Sequence, residues 1–260
     1  MAFKKIILAG MVLTLSGCDH NQINSTYTMN NYLTIFDFEF APHSKPIKNQ
    51  TLEGSNIQTI TGNTDGLFQS YTSADLNFSV NYAKQTYSYN VRGENYQYTI
   101  NFDDHNNIVS MEDSQTNKKL LVTLDKQGRV IKVVNSTFGN APHFFISQFV
   151  YQDDLLSKTS LEIRQKFDVN DNDESKSFRV LSRQKQYFYN NQKQLHKSIE
   201  YTYYSGMGAP DEELNNQQPP DKQETCVYDD HNQYGDWTKL YCLDTNNKTS
   251  KFQLRTLKYY

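Results

Sequence analysis

Through most of the chain, apolar residues fall at every second position. Phe36, Phe38 and Phe40 alternate with Asp37 and Glu39; Leu76, Phe78, Val80 and Tyr82 with Asn77, Ser79 and Asn81. Tyr96, Tyr98, Ile100 and Phe102 alternate with Gln97, Thr99 and Asn101. The same holds for Leu161, Ile163 and Phe167 around Glu162, Arg164 and Lys166, and for Ile199, Tyr201 and Tyr203 around Glu200 and Thr202. A two-residue period sends one set of side chains to a core and the other to water, the mark of a one-sided strand. No segment keeps a helical period over three turns. The fold expected is all-β: an elongated, twisted antiparallel β-meander of successive hairpins.

The turns between these strands repeat. Phe102-Asp103-Asp104-His105-Asn106 recurs as Tyr228-Asp229-Asp230-His231-Asn232, with looser copies at Leu124–Val130, Tyr151–Leu156 and Tyr189–Leu195. Asp and Asn suit such places because their side chains accept hydrogen bonds from amides just ahead, and Asn and Gly accept positive φ. The pattern Tyr-Asp, two variable residues, Gly, then an apolar and a basic residue resembles the YD-repeat (Rhs-type) family. Leu124-Asp125 through Gly128-Arg129-Val130 fits apart from its first residue, and Tyr228-Asp229 through Gly235-Asp236-Trp237-Thr238-Lys239 fits with a longer turn. The resemblance covers residues 95–260 and implies a hairpin-built sheet. Full-size members wall off a cargo; this chain has too few turns to enclose one, so that activity does not carry over.

The chain starts differently. Lys4 and Lys5 precede an apolar run from Ile6 to Leu15, long enough for an export signal and too short for a bilayer, which takes roughly 20 residues. Leu15-Ser16-Gly17-Cys18 resembles the lipobox of bacterial lipoprotein precursors. The resemblance implies removal of residues 1–17, lipidation of Cys18 by palmitate-type acyl chains, and a mature chain facing the periplasm. More than one acyl chain makes a stable anchor, since each buried methylene contributes about 0.8 kcal/mol. Asp19 resembles the signal that retains lipoproteins in the inner membrane. Residues 18–31 read as a polar tether and 32–260 as the β domain.

Composition narrows the partners. A net charge of −3, with dispersed Lys and Arg, lacks the basic stripe that nucleic acid requires. The 19 Tyr and 15 Phe favour strands with one wet face. A mean hydropathy of −0.77 suggests a thin core and an open sheet. With Cys18 committed to lipid, Cys226 and Cys242 remain, and a hairpin centred near Tyr234 sets them opposite each other as a disulfide.

Candidate chemistry is sparse. Asp168–Glu174 has oxygen ligands at alternate positions, but Asp173 stands where a calcium loop needs Gly and Arg179 where it needs Glu, so an acidic hairpin loop is expected. Ser205–Gln223 reads as a second surface loop. His105 and His231 occupy the same place in a repeated turn and read as exposed turn residues; Trp237 reads as a packed anchor. No metal ligand, cofactor or catalytic residue is assigned. The expected function is a lipid-anchored, non-enzymatic cell-envelope binding protein with a protein or glycan ligand, one version being an immunity protein against a periplasmic toxin. The alternatives are an envelope glycan hydrolase and a purely structural lipoprotein.

Overall fold

The two-residue period does become strands, joined in chain order. The computed structural model describes residues 25–54, 56–113, 118–137, 143–167, 176–204 and 219–260. Its strands are β1 (Ile47–Glu53), β2 (Gln58–Gly62), β3 (Phe68–Thr72), β4 (Leu76–Asn81), β5 (Thr86–Val91), β6 (Glu94–Phe102), β7 (Ile108–Glu112) and β8 (Lys119–Leu124). The second half holds β9 (Val130–Thr137), β10 (His143–Gln152), β11 (Leu155–Phe167), β12 (Lys176–Tyr189), β13 (Leu195–Tyr204), β14 (Lys222–Asp229), β15 (Lys239–Asp244) and β16 (Thr249–Tyr259). Each pairs antiparallel with the next, and β16 pairs back onto β1, from Ile47↔Tyr259 to Glu53↔Leu254. The meander is a closed barrel with no free edge to template a foreign strand.

Closure corrects the open-sheet reading taken from hydropathy. The missing core comes from the N-terminal segment, which fills the barrel. A helix, α1 (Ser25–Ile35), and a 3₁₀ turn, Phe38–Phe40, touch the barrel wall on several sides. Phe36 packs at 5.3 Å from both Phe68 and Tyr71 and at 5.7 Å from Phe78; Phe38 meets Tyr187 edge-on at 4.6 Å, and Phe40 lies 5.6 Å from Trp237. Two expectations are thereby corrected. Residues 25–31, read as tether, are the first turns of α1, with Thr28, Asn30 and Asn31 buried, and Phe36–Phe40, read as a strand, end a helix and form a 3₁₀ turn capped by Asp37, whose Oδ1 accepts the Glu39 amide at 3.0 Å. The chain does enclose a cargo, its own N-terminal segment.

Even-numbered strands all finish at the plugged end. Five connections there share one geometry, beginning at Asn63, Asp103, Asp125, Asn190 and Asn232; the β15–β16 turn at the opposite end, from Asp244, repeats it. In each, the first side chain accepts amides two and four residues on, at 2.8–3.2 Å. The fourth residue takes positive φ: Gly66, Asn106, Gly128, Lys193, Gly235 and Asn247. The hairpin at Asp153–Asp154 is a two-residue turn with positive φ at both positions. The repeated Asp-Asp-His-Asn is not structurally equivalent: Asp103 opens a turn, whereas in the second copy the turn opens at Asn232.

Tyrosines lock the same end. The hydroxyl of Tyr82 donates to the Phe68 carbonyl, that of Tyr151 to Val130 at 2.8 Å and that of Tyr189 to Leu156 at 2.8 Å, each reaching back across one strand pair. Burial pushes all three hydroxyls above the ordinary phenol range.

Candidate functional site

Of the residues singled out by sequence, Cys18 and Asp168–Glu174 lie outside the described residues, as does most of Ser205–Gln223. Cys226 and Cys242 are direct cross-strand neighbours on β14 and β15 and form a disulfide, S–S 2.08 Å. Glu224 Oε2 lies 3.7 Å from Cys226 Sγ, but two bonded sulfurs are not thiolate ligands. The histidines part company, against the expectation of equivalence: His105 is exposed at the third place of its turn, while His231 is half-buried before its turn and meets the Leu195 carbonyl at 2.8 Å. Trp237 is the packed anchor expected. It is buried, its Nε1 donates to the Glu39 carbonyl at 2.8 Å, and the Arg255 guanidinium lies 4.6 Å from its ring.

Register brings together a surface that no single segment announces. On the outer side of β2–β6, one cross-strand row runs Thr61–Ser70–Ser79–Ser88–Gln97. The next row on the same face runs Thr59–Thr72–Asn77–Asn90–Asn95. Between them the row Ile60–Tyr71–Phe78–Tyr89–Tyr96 faces the other way, and its first three members are buried against the plug. All ten outer positions are uncharged hydroxyls or amides. Thr61 and Ser70 share a hydrogen bond at 2.6 Å, and Asn90 Nδ2 donates to Asn95 Oδ1 at 2.6 Å. A cleft of about 790 Å³ runs along these strands, lined by Ser79, Ser88, Asn90, Asn95 and Gln97 and also by Tyr71, Phe78, Tyr89, Tyr96 and Asp113. The sequence carried a signal for it: from Gln58 to Phe102, every charged residue except Glu94 falls in a turn, not within a strand.

A second space lies inside. A chamber of about 250 Å³ separates the plug from β10–β13, lined by Phe36, Asp37, Phe149, Arg183, Lys185 and Glu200. Lys185 is ion-paired with Glu39, and Arg183 approaches Glu200 at 4.0 Å. Burial, and then the negative charge of Glu39, push the Asp37 carboxyl up to about 7, against the pull of Lys185.

The chain matches no family model and no curated protein. The geometry alone speaks for function. No helix among the described residues is long and apolar enough to cross a membrane. A barrel that spans a bilayer carries an apolar band around its whole circumference, which the polar rows of β2–β6 interrupt.

Proposed function

We propose that the mature chain is a lipid-anchored, non-enzymatic binding protein of the cell envelope, held at Cys18 and presenting the β2–β6 wall to the periplasm. The observation that carries this reading is the pair of polar rows. Strands stand about 4.8 Å apart and alternate residues about 6.8 Å apart, so the wall is a lattice of donors and acceptors. With no charge in the rows, it suits a neutral, hydroxyl-rich chain such as a glycan, held by many modest hydrogen bonds of about 1 kcal/mol each. The immunity version of this reading puts a toxin surface on the same wall.

Two measurements test it. Cells fed labelled palmitate should label the chain, and Cys18→Ser should abolish the label; label surviving that change refutes the anchor. Titration with neutral envelope oligosaccharides should shift the amide resonances of β3–β6. Ser88→Lys, which sets a bulky charge in the middle of the wall, should remove those shifts while leaving the fold intact. Shifts confined to other strands refute the wall as the site.

A second reading, an envelope glycan hydrolase, is favoured by the chamber. Asp37 and Glu200 both line it, and in this reading Asp37, whose carboxyl burial raises, would act as the general acid and Glu200 as the second carboxyl group. Asp37→Asn and Glu200→Gln should then each abolish glycan cleavage without altering binding to the wall. Turnover that survives both changes excludes this chamber as the catalytic site.

A further inference from the structure

We infer that the outer face of β10–β16 docks on an anionic phospholipid surface. The barrel's outside is divided. Across the ring from the polar wall, one outward row runs Val150–Lys158–Gln186–Ile199–Thr225–Leu243 in direct register. The adjacent row runs Phe188–Lys197–Val227–Tyr241–Phe252. These rows hold aliphatic and aromatic residues, two lysines, one Gln and one Thr, and no carboxylate. Val150 is 53% exposed, Phe252 47% and Phe188 42%, and Leu254 beside them is 44% exposed.

Charge is sorted by face on the same strands. Glu200 lines the inner chamber, and Glu224 stands opposite it on that inner side. The outward carboxylates each stand beside a cation: Asp229 opposite Lys239, and Glu162 against Arg164 and Arg179. A broad apolar patch studded with lysines is costly to leave in water and complementary to negative headgroups over an acyl boundary. An anchored chain has a bilayer within reach, and docking by this side turns the polar wall away from the membrane. The inference deepens the envelope reading and rests on it only for that proximity.

The test uses the full chain carrying Cys18→Ser, so that no acyl chain contributes. It is sedimented with phosphatidylcholine vesicles and with vesicles containing added phosphatidylglycerol. Co-sedimentation with the anionic vesicles, reversed by salt, is expected. Lys158→Gln, Lys197→Gln and Lys239→Gln combined should weaken it on the order of a hundredfold, roughly fivefold per lysine. Lys84→Gln with Arg92→Gln, on the polar side, should leave it unchanged. Circular dichroism confirms folding of each variant. Four results overturn the inference: no binding to anionic vesicles, equal binding to both vesicle types, no effect of the lysine changes, or an equal effect of the polar-side changes. Self-association without lipid that Phe252→Ser abolishes would assign the face to a second copy instead. Palmitate labelling of Cys18 is read separately, so loss of docking and loss of the anchor are distinguishable.

Discussion

Asn30→Ala asks whether the plug is fastened by the bonds that the structure shows. Asn30 is buried on α1. Its Nδ2 donates to Asn107 Oδ1 at 3.0 Å and to the Gly128 carbonyl at 2.7 Å, and its Oδ1 accepts the Val130 amide at 2.9 Å. Alanine removes all three. Each net hydrogen bond is worth about 1 kcal/mol, and a buried donor or acceptor left unmatched costs about 1–3 kcal/mol more, so a loss of about 3–5 kcal/mol is expected. That is a large part of a domain's stability, about 5–15 kcal/mol. In urea, with a slope of about 3 kcal/mol/M, the midpoint should fall by at least about 1 M with the slope unchanged. Asn30→Asp should be as damaging near neutral pH, since a carboxylate would face Asn107 Oδ1 and the Gly128 carbonyl. Asn77→Ala, on the exposed wall, should stay within about 0.5 kcal/mol. A midpoint shift for Asn30→Ala no larger than that of Asn77→Ala would refute the reasoning.

Other outcomes follow from single features. Asp37, raised to about 7 in the folded chain, holds a proton that the unfolded chain releases near the ordinary carboxylate value of about 4. Its contribution to stability is therefore present in acid and lost as pH rises through about 7. Melting temperatures of wild type should fall over that window relative to Asp37→Asn, and parallel curves would exclude the shift. At Asp125, burial raises the carboxyl, but the Arg129 and Gln127 amides and the Arg129 side chain outweigh it and hold it below the usual range. Asparagine does the same work in three sister turns, so Asp125→Asn should cost under about 1 kcal/mol and Asp125→Ala about 1–2 kcal/mol, by urea unfolding. Reducing Cys226–Cys242 should lower stability by about 3 kcal/mol without loss of strand signal in circular dichroism. Tyr189→Phe, which deletes the hydroxyl bond to Leu156, should cost about 1–2 kcal/mol in the same urea assay, and a neutral result would make that bond incidental.

The strands were legible because polar and apolar residues alternate along them, but the period alone did not say which set faces in: on β13 Ile199 points outward, while Glu200 and the buried Thr202 face the interior. The disulfide was legible because Cys226 and Cys242 flank one hairpin. The plug was not, for a physical reason: Thr28, Asn30, Asn31 and Thr34 are polar and buried. Hydropathy reads such residues as solvent-facing, whereas here Asn30 and Asn31 answer backbone groups of the barrel. Closure depends on Ile47 meeting Tyr259, a pairing across nearly the whole chain that no local pattern encodes. The repeated Asp-Asp-His-Asn misled because the turn geometry needs only an Asx and a residue tolerant of positive φ three places along, which Asn232 and Gly235 satisfy. The candidate site was half legible. Each strand shows its Ser, Thr or Asn residues, but only register lines them into rows.

The repeats and the plug are one device. Phe68 and Val130 occupy equivalent places, five residues after the Asx that opens their turns. Each donates its amide to a plug asparagine, Phe68 to Asn31 at 2.8 Å and Val130 to Asn30 at 2.9 Å. Each accepts a tyrosine hydroxyl at its carbonyl, from Tyr82 and Tyr151. Trp237, five residues after Asn232, makes the corresponding reach through its side chain to Glu39. Neighbouring plug residues thus engage sockets that recur around the ring, so the turn motif specifies the inner contact as well as the reversal of the chain. It follows that the barrel's hairpins and residues 25–40 complete one another. The strands alone enclose unmatched amides and carbonyls, and the segment alone exposes Phe36, Phe38 and Phe40. Six residues separate Cys18 from Ser25, so an anchor at Cys18 would join the membrane directly to the element on which closure depends.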